Sequence, residues 1–374
     1  MNRHALACAL LWALVWTLLS PALWALDQRA AAGEKLVYAV CHKASDYTAA
    51  RPEIFSIDPE TGEKQLVFSD RHSTIVLTQH LYVFHFPAAG GGKIFAYGAL
   101  RGAPPTSPGK ALLCELSTDG SNTSRVICPA AVEGSGGDIF ANSAGTRLGY
   151  IGWMKGKQYI FIHDVATGAL LRKADVSDFF RDLSVASIGW LPLSDSLYFS
   201  LEAGDDDLMS DEHLTQVGSY LADGSIRQSR QLPAVPAFGG LPAPDAARVI
   251  GVLPSGEYLY ETARYTGAVA PEITVIRVGA DSTRAQEVTG SPSAWPGSGT
   301  RLTYRLSSSG RYLASAALPV SSTATSYDVW LKDLVSRAES TLVSIPTQGF
   351  QGPFLGLVGW IEQSEGLPAA DPGN

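Results

Sequence analysis

The residues best suited to chemistry lie in segments rich in glycine, proline and polar side chains. Gly204-Asp205-Asp206-Asp207-Leu208-Met209-Ser210-Asp211-Glu212-His213 carries five carboxylates in the nine positions after its glycine. Hard cations such as calcium take several oxygen ligands, and Asp205, Asp207 and Asp211 are the candidates here. The spacing is not that of a D-x-[DN]-x-[DN]-G loop, and a merely solvated acidic loop is the alternative reading. His42, His72 and His80 make a second group, whose imidazoles suit a transition metal or acid–base work near neutral pH. The alternative for these histidines is a set of separate surface or structural roles. Asp46, Tyr47, Arg51, Arg101 and Tyr265 add polar and aromatic binding candidates in comparable segments. His85, between Phe84 and Phe86, and His163 fall inside strand-like runs, where a structural role is expected.

Other signatures fail on inspection. There is no G-x-S-x-G elbow and no H-E-x-x-H, and Gly90-Gly91-Gly92-Lys93 lacks the spacing of a phosphate loop. No motif calls for an organic cofactor. A net charge of −8, with no basic stripe, argues against nucleic-acid binding.

The elements that must carry these residues are strands. Thr146 to Leu171 shows one complete unit. Leu148-Gly149-Tyr150-Ile151 and Tyr159-Ile160-Phe161-Ile162 are β-prone runs, followed by a turn at Ala166-Thr167-Gly168 where glycine supplies positive φ. Similar units begin near Leu36, Leu81, Ile188, Val249 and Leu302, with final turns about 48 to 58 residues apart, as in four-stranded blades with one extended loop. In the second unit the strands are expected at Leu81 to Phe86, Lys93 to Tyr97, Leu112 to Leu116 and Arg125 to Cys128. The first unit lacks one strand, and Phe354 to Ile361 is one strand without partners after it. Pairing the two closes a ring and removes exposed edges. The expected fold is all-β, a six-bladed β-propeller of four-stranded antiparallel blades over residues 26–363, with the C-terminal strand innermost in the first blade and a disordered tail at 364–374. Ser177 to Leu183 is the one segment expected to form a helical turn. The long connections between second and third strands then gather on one face with the blade-to-blade connections, and binding residues are expected there.

The first residues describe an export signal: Met-Asn-Arg-His, an apolar run from Ala5 to Leu19, and small residues at Ala22 and Ala25, where cleavage is expected. An uncleaved anchor is the alternative, since the run nears the ~17-residue lower limit for a span. No later stretch approaches a span, so a soluble exported protein, most simply a monomer, is expected. Cys114 and Cys128 lie symmetrically about the turn at Thr118 to Asn122, so a regular hairpin would bring them together. In an oxidising compartment the readings are a disulfide or two buried thiols. Trp153, Trp190, Trp295, Trp330 and Trp360 recur near the strands, as inter-blade packing or as a sugar-stacking surface.

Ser143-Ala144-Gly145-Thr146-Arg147-Leu148 followed by Ile160-Phe161-Ile162-His163-Asp164-Val165-Ala166-Thr167-Gly168 resembles the repeat of TolB-like propellers, also called WD40-like or PD40 repeats. Ala243 to Val249 and Trp295 to Leu302 echo it. The resemblance implies a propeller and, for exported bacterial members, a periplasmic home and work as a protein-binding platform. It carries no catalytic set, since such repeats also occur in oligopeptidases, lyases and lactonases. The first strand begins about ten residues after the expected cleavage site, so the N-terminal domain of TolB is not expected. The leading functional expectation is a protein- or peptide-binding platform in the periplasm or envelope. The alternative is a metal-assisted hydrolase, lactonase or lyase at the mouth of the central channel.

Overall fold

The computed structural model describes residues 33–42, 51–69, 75–77, 79–80, 83–84, 87–100, 110–133, 135–176, 183–191, 196–203, 215–220, 226–231, 235, 237, 244, 246–264, 272–279, 285–289, 302–317, 326–346 and 354–362. Every element among them is a β-strand.

Sheet one contains β1 (Glu34–His42), β2 (Arg51–Ile57) and β3 (Lys64–Ser69). Sheet two draws on β4 (Ile75–Leu77), β7 (Ala88–Gly90), β8 (Lys93–Leu100), β9 (Lys110–Leu116) and β10 (Ser124–Glu133), while β5 (Gln79–His80) and β6 (Val83–Phe84) form a separate two-stranded piece. Sheet three is β11 (Ser135–Ala141), β12 (Arg147–Met154), β13 (Lys157–Asp164) and β14 (Leu170–Asp175). Sheet four is β15 (Leu183–Trp190), β16 (Ser196–Ala203), β17 (Thr215–Tyr220) and β18 (Ile226–Gln231). Sheet five is β19 (Ala246–Val252), β20 (Tyr258–Arg264), β21 (Glu272–Val278) and β22 (Ala285–Thr289). Sheet six is β23 (Leu302–Leu306), β24 (Tyr312–Ala317), β25 (Ser326–Asp333) and β26 (Glu339–Pro346). The last strand, β27 (Phe354–Glu362), returns to sheet one and pairs antiparallel with β1, from Glu34 opposite Glu362 to Cys41 opposite Phe354.

These sheets form a propeller because each buries both faces. In β1, Leu36, Tyr38 and Val40 pack with Tyr312, Ala314 and Val329 of sheet six, whereas Val37 and Ala39 pack with Ile94, Ala96 and Leu116 of sheet two. Side chains alternate across a strand, so strands buried on both faces must be apolar at successive positions. The same division recurs at each seam. The first strands meet around the axis: β27 lies against β7, β7 against β11, β11 against β15, β15 against β19, β19 against β23, and β23 against β27.

Five sheets have the expected four-stranded antiparallel form, and the second corrects the expectation of four strands throughout. Both β4 and β7 pair with β8, β7 along Lys93 to Phe95 and β4 along Gly98 to Leu100. The two short strands thus divide one edge of β8 between them. The expected first strand at Leu81 to Phe86 is not the one used: within it, Val83 and Phe84 belong to β6, which pairs with β5. The glycine turn at Gly91 and Gly92, both with positive φ, permits β7 to enter the edge immediately before β8. The helical turn expected at Ser177 to Leu183 falls on residues 177–182, outside the described set, and Leu183 opens β15.

Of the two readings of Cys114 and Cys128, a bridge or two thiols, the structure has the second, since they are not joined to each other. The β9–β10 register shifts between Val126 and Cys128, so Cys114 opposes Val126 and Cys128 opposes Leu113. That slip turns Cys114 toward the sheet-one seam and Cys128 toward the sheet-three seam, on opposite faces of the sheet. Burial pushes the Cys114 thiol up to about 12, leaving it protonated and inert.

Candidate interaction face

The two ends of this ring differ in kind. At one end lie the tight turns joining first and second strands. In sheet three, Asn142 Oδ1 accepts hydrogen bonds from the backbone N–H groups of Thr146 and Arg147, and Gly145 N–H donates to the Asn142 carbonyl. Leu253 to Glu257 and Ser307 to Tyr312 close the same way in sheets five and six. Between sheets two and three these turns pack backbone to backbone, whereas Gly310 of sheet six sits against the Pro254 side chain of sheet five. A Cβ on Gly91 would lie 2.1 Å from the Ala144 carbonyl oxygen, and one on Gly145 would lie 2.3 Å from that of Gly90. Glycine is therefore required at Gly91 and Gly145 for close approach, and main chain closes that seam.

At the other end the second and third strands are joined by residues 43–50, 101–109, 204–214, 265–271 and 318–325, whereas sheet three needs only Lys155-Gly156. The blade-to-blade connections leave from this same end. His42 is the last residue of β1 and is paired in register with Arg51, the first of β2, so these two candidates are brought together at this face. His80 ends β5, opposite Val83. Asp46, Tyr47, His72, Arg101, Asp205, Asp207, Asp211 and Tyr265 lie outside the described residues. Among the described residues, no three His, Cys, Asp or Glu side chains converge as metal ligands.

One charged constellation escaped sequence reasoning. Arg248 of β19 opposes Glu261 of β20, and its Nε donates to Glu261 Oε1 at 2.7 Å, with both side chains only 14% exposed. Tyr304 of sheet six lies beneath the guanidinium, 5.9 Å from ring centre to Cζ. Burial first, and the Glu261 carboxylate second, push the Tyr304 hydroxyl well above the ordinary phenol range. It is therefore a neutral phenol beside an ion pair at every physiological pH and cannot act as a base. The arrangement suits a lock between sheets five and six, because a part-buried ion pair on sheet five meets the Tyr304 phenol of sheet six. The available signal was a charge at an interior position in each of two apolar strands, Ala246 to Val252 and Tyr258 to Arg264.

His163 is structural, as expected for a strand histidine. It is 5% exposed, its ring stacks on Tyr150 with centroids 5.8 Å apart, and Nδ1 lies 3.2 Å from the Gly168 carbonyl oxygen. Trp190 and Trp360 also serve packing: Trp190 tilts against Phe140 across the seam between sheets three and four, and Trp360 stacks on Tyr312 and donates from Nε1 to the Arg305 carbonyl.

No family model and no curated protein matches the sequence. Among solved structures, TolB from Acinetobacter baumannii superposes with a TM-score of 0.51 at 13% identity, over 87% of this chain and 67% of that one. The fold is that of a TolB-like β-propeller. A protein from Lactobacillus plantarum is similar with a TM-score of 0.46 at 10% identity, over 87% of this propeller chain and 99% of its own. A putative 6-phosphogluconolactonase from Bacteroides fragilis gives 0.43 at 12% identity, over 87% and 97%. At such identities the likeness describes the propeller fold and assigns no activity.

Proposed function

We propose that this chain is an exported six-bladed propeller, with the five-stranded sheet as its second blade, that binds a protein or extended peptide on its loop face in the periplasm or cell envelope. The observation that supports this reading is the contrast between the two ends of the ring. One carries tight turns, in main-chain contact between sheets two and three, and the other carries five long connections on rigid strands. A scaffold of this kind holds variable loops in fixed relative positions, which is what recognition of an extended partner requires. His42 and Arg51 stand opposite each other in register at that end of β1 and β2.

The test is retention of partners from a native envelope extract on immobilised protein. Replacing residues 43–50 and 101–109 by Gly/Ser linkers is expected to abolish retention, while Ser255→Lys on the tight-turn end and added chelator leave it unchanged. Retention that survives both loop replacements would overturn the reading. A stoichiometric metal whose removal lowers Tm would instead favour metal-assisted catalysis through Asp205, Asp207, Asp211 and the rim histidines.

A further inference from the structure

We infer that the seam between sheets two and three is an acid-sensitive latch, held shut by neutral His163 and loosened when that ring takes a second proton. The carbonyl of Gly168 can only accept, so the bond at 3.2 Å puts the imidazole proton on Nδ1. Nε2 is then a bare acceptor, buried and without a hydrogen-bond partner among the described residues. A second proton must be placed on that atom. It would create a buried N–H carrying positive charge with no acceptor among the described residues, the costliest way to leave a polar group.

The position of the ring makes that local cost a mechanical one. His163 immediately precedes the turn Asp164 to Gly168, in which Asp164 Oδ1 accepts from Thr167 N–H and Oγ1, and Gly168 N–H donates to the Asp164 carbonyl. Gly168 has φ of 71°, and a Cβ there would stand 2.0 Å from the Ile127 carbonyl oxygen, so the turn is wedged against β10 of sheet two. Arg125 of β10 reaches across and donates to the Val165 carbonyl at 3.0 Å. Moving His163 to reach water therefore moves the element that holds the two sheets together.

Charged and titratable groups face this seam from both sheets. On the histidine's own sheet they include Asp164, Arg147, Tyr159 and Lys173, which lies over the Tyr159 ring, with the Tyr150 phenol beneath the histidine. On sheet two they include Tyr97, edge-on to Tyr150, Arg125, Glu115, which pairs with Arg125 at 2.5 Å and lies 4.0 Å from Lys93, and the Cys128 thiol. Burial holds the His163 pKa below its ordinary 6.5, against a smaller lift from the Gly168 carbonyl. The neutral ring's contribution is therefore complete above about pH 6.5 and is lost as the pH falls through that value toward the folded-state pKa.

Sheets one and six contain the same turn without the histidine. Ile57 precedes Asp58 and Lys332 precedes Asp333 at the corresponding positions, so both turns serve as internal controls. The experiment is native-state amide hydrogen exchange on the full chain at pH 7.5 and pH 5, corrected for intrinsic rates. Amides of 164–170 and 125–128 are expected to lose protection roughly fivefold or more, while those of 58–62 and 333–338 hold. His163→Gln, and His163→Ile as in sheet one, are expected to remove this pH dependence. Equal behaviour of all three turns in the wild type, or an unchanged pH response in a folded variant, would overturn the latch. Should both variants fail to fold, the wild-type His163 ring titration decides, since a midpoint at or above 6.5 contradicts it.

Discussion

Glu34 fixes the join between the two ends of the ring. It is 2% exposed, and its carboxylate accepts from Ser308 Oγ at 2.8 Å, Ser309 N–H at 2.8 Å and Ser309 Oγ at 2.6 Å. Glu362, directly opposite on β27, has Oε1 3.1 Å from the same Ser308 hydroxyl, which has one proton for two carboxylates. Glu34→Ala is expected to cost about 2–3 kcal/mol in urea unfolding, because sheet six loses its charged acceptor, while Glu362→Gln costs about 0.5 kcal/mol or less. Glu261→Ala, which removes the carboxylate that faces Arg248 and Tyr304, is expected to cost about 3–5 kcal/mol. A loss below 1 kcal/mol would show that water reaches that pair. At this scale the sequence was least informative. Counting residues about the 118–122 turn assumed regular pairing, and one register slip put Cys114 and Cys128 on opposite faces. Arg248 and Glu261 lie 13 residues apart and become neighbours only through a hairpin whose register no local pattern states.

The turn between third and fourth strands is the repeated element. Asp58, Asp164 and Asp333 each turn Oδ1 back onto N–H groups two or three residues ahead, and Gly62, Gly168 and Arg337 each donate N–H to the carbonyl of that aspartate. The donor has φ of 72°, 71° and 64° respectively, so sheet six places an arginine where glycine fits better. Arg337→Gly is expected to stabilise by about 0.5–1 kcal/mol, visible as a raised Tm. The glycines separate local strain from seam packing. Around Gly62 a Cβ would meet nothing within 4 Å, whereas at Gly168 it meets the main chain of sheet two. Gly62→Ala should thus cost about 1 kcal/mol and Gly168→Ala about 2–4 kcal/mol, and equal costs would mean the turn is not wedged in the seam. These turns were legible because their residue types are dictated by backbone conformation. The outer strands β22 and β26, AQEVT and ESTLVSIP, were not recognised, since a mostly solvated edge needs no apolar pattern. The innermost edge of sheet two was misplaced because β4 and β7 are each three residues long, too short to show a period.

At the scale of the whole molecule the ring was legible from its ends, since an unfinished first unit and an isolated last strand satisfy each other. What the strands cannot reveal is what the connecting segments do, because loop residues are not constrained by the packing that makes strands recognisable. Closure of the ring gathers the tight turns at one end and the long connections at the other. The most direct measurement is disulfide mapping of a Lys35→Cys, Ile361→Cys variant after mild oxidation. Antiparallel partners have Cα atoms about 4.5–5.5 Å apart, within disulfide reach, and Lys35 opposes Ile361. Closure predicts a linked 35–361 peptide pair in nearly all molecules with far-ultraviolet circular dichroism unchanged. A residue 361 thiol that stays reduced, or that links to one of the natural cysteines instead, would contradict the ring and the single interaction face derived from it.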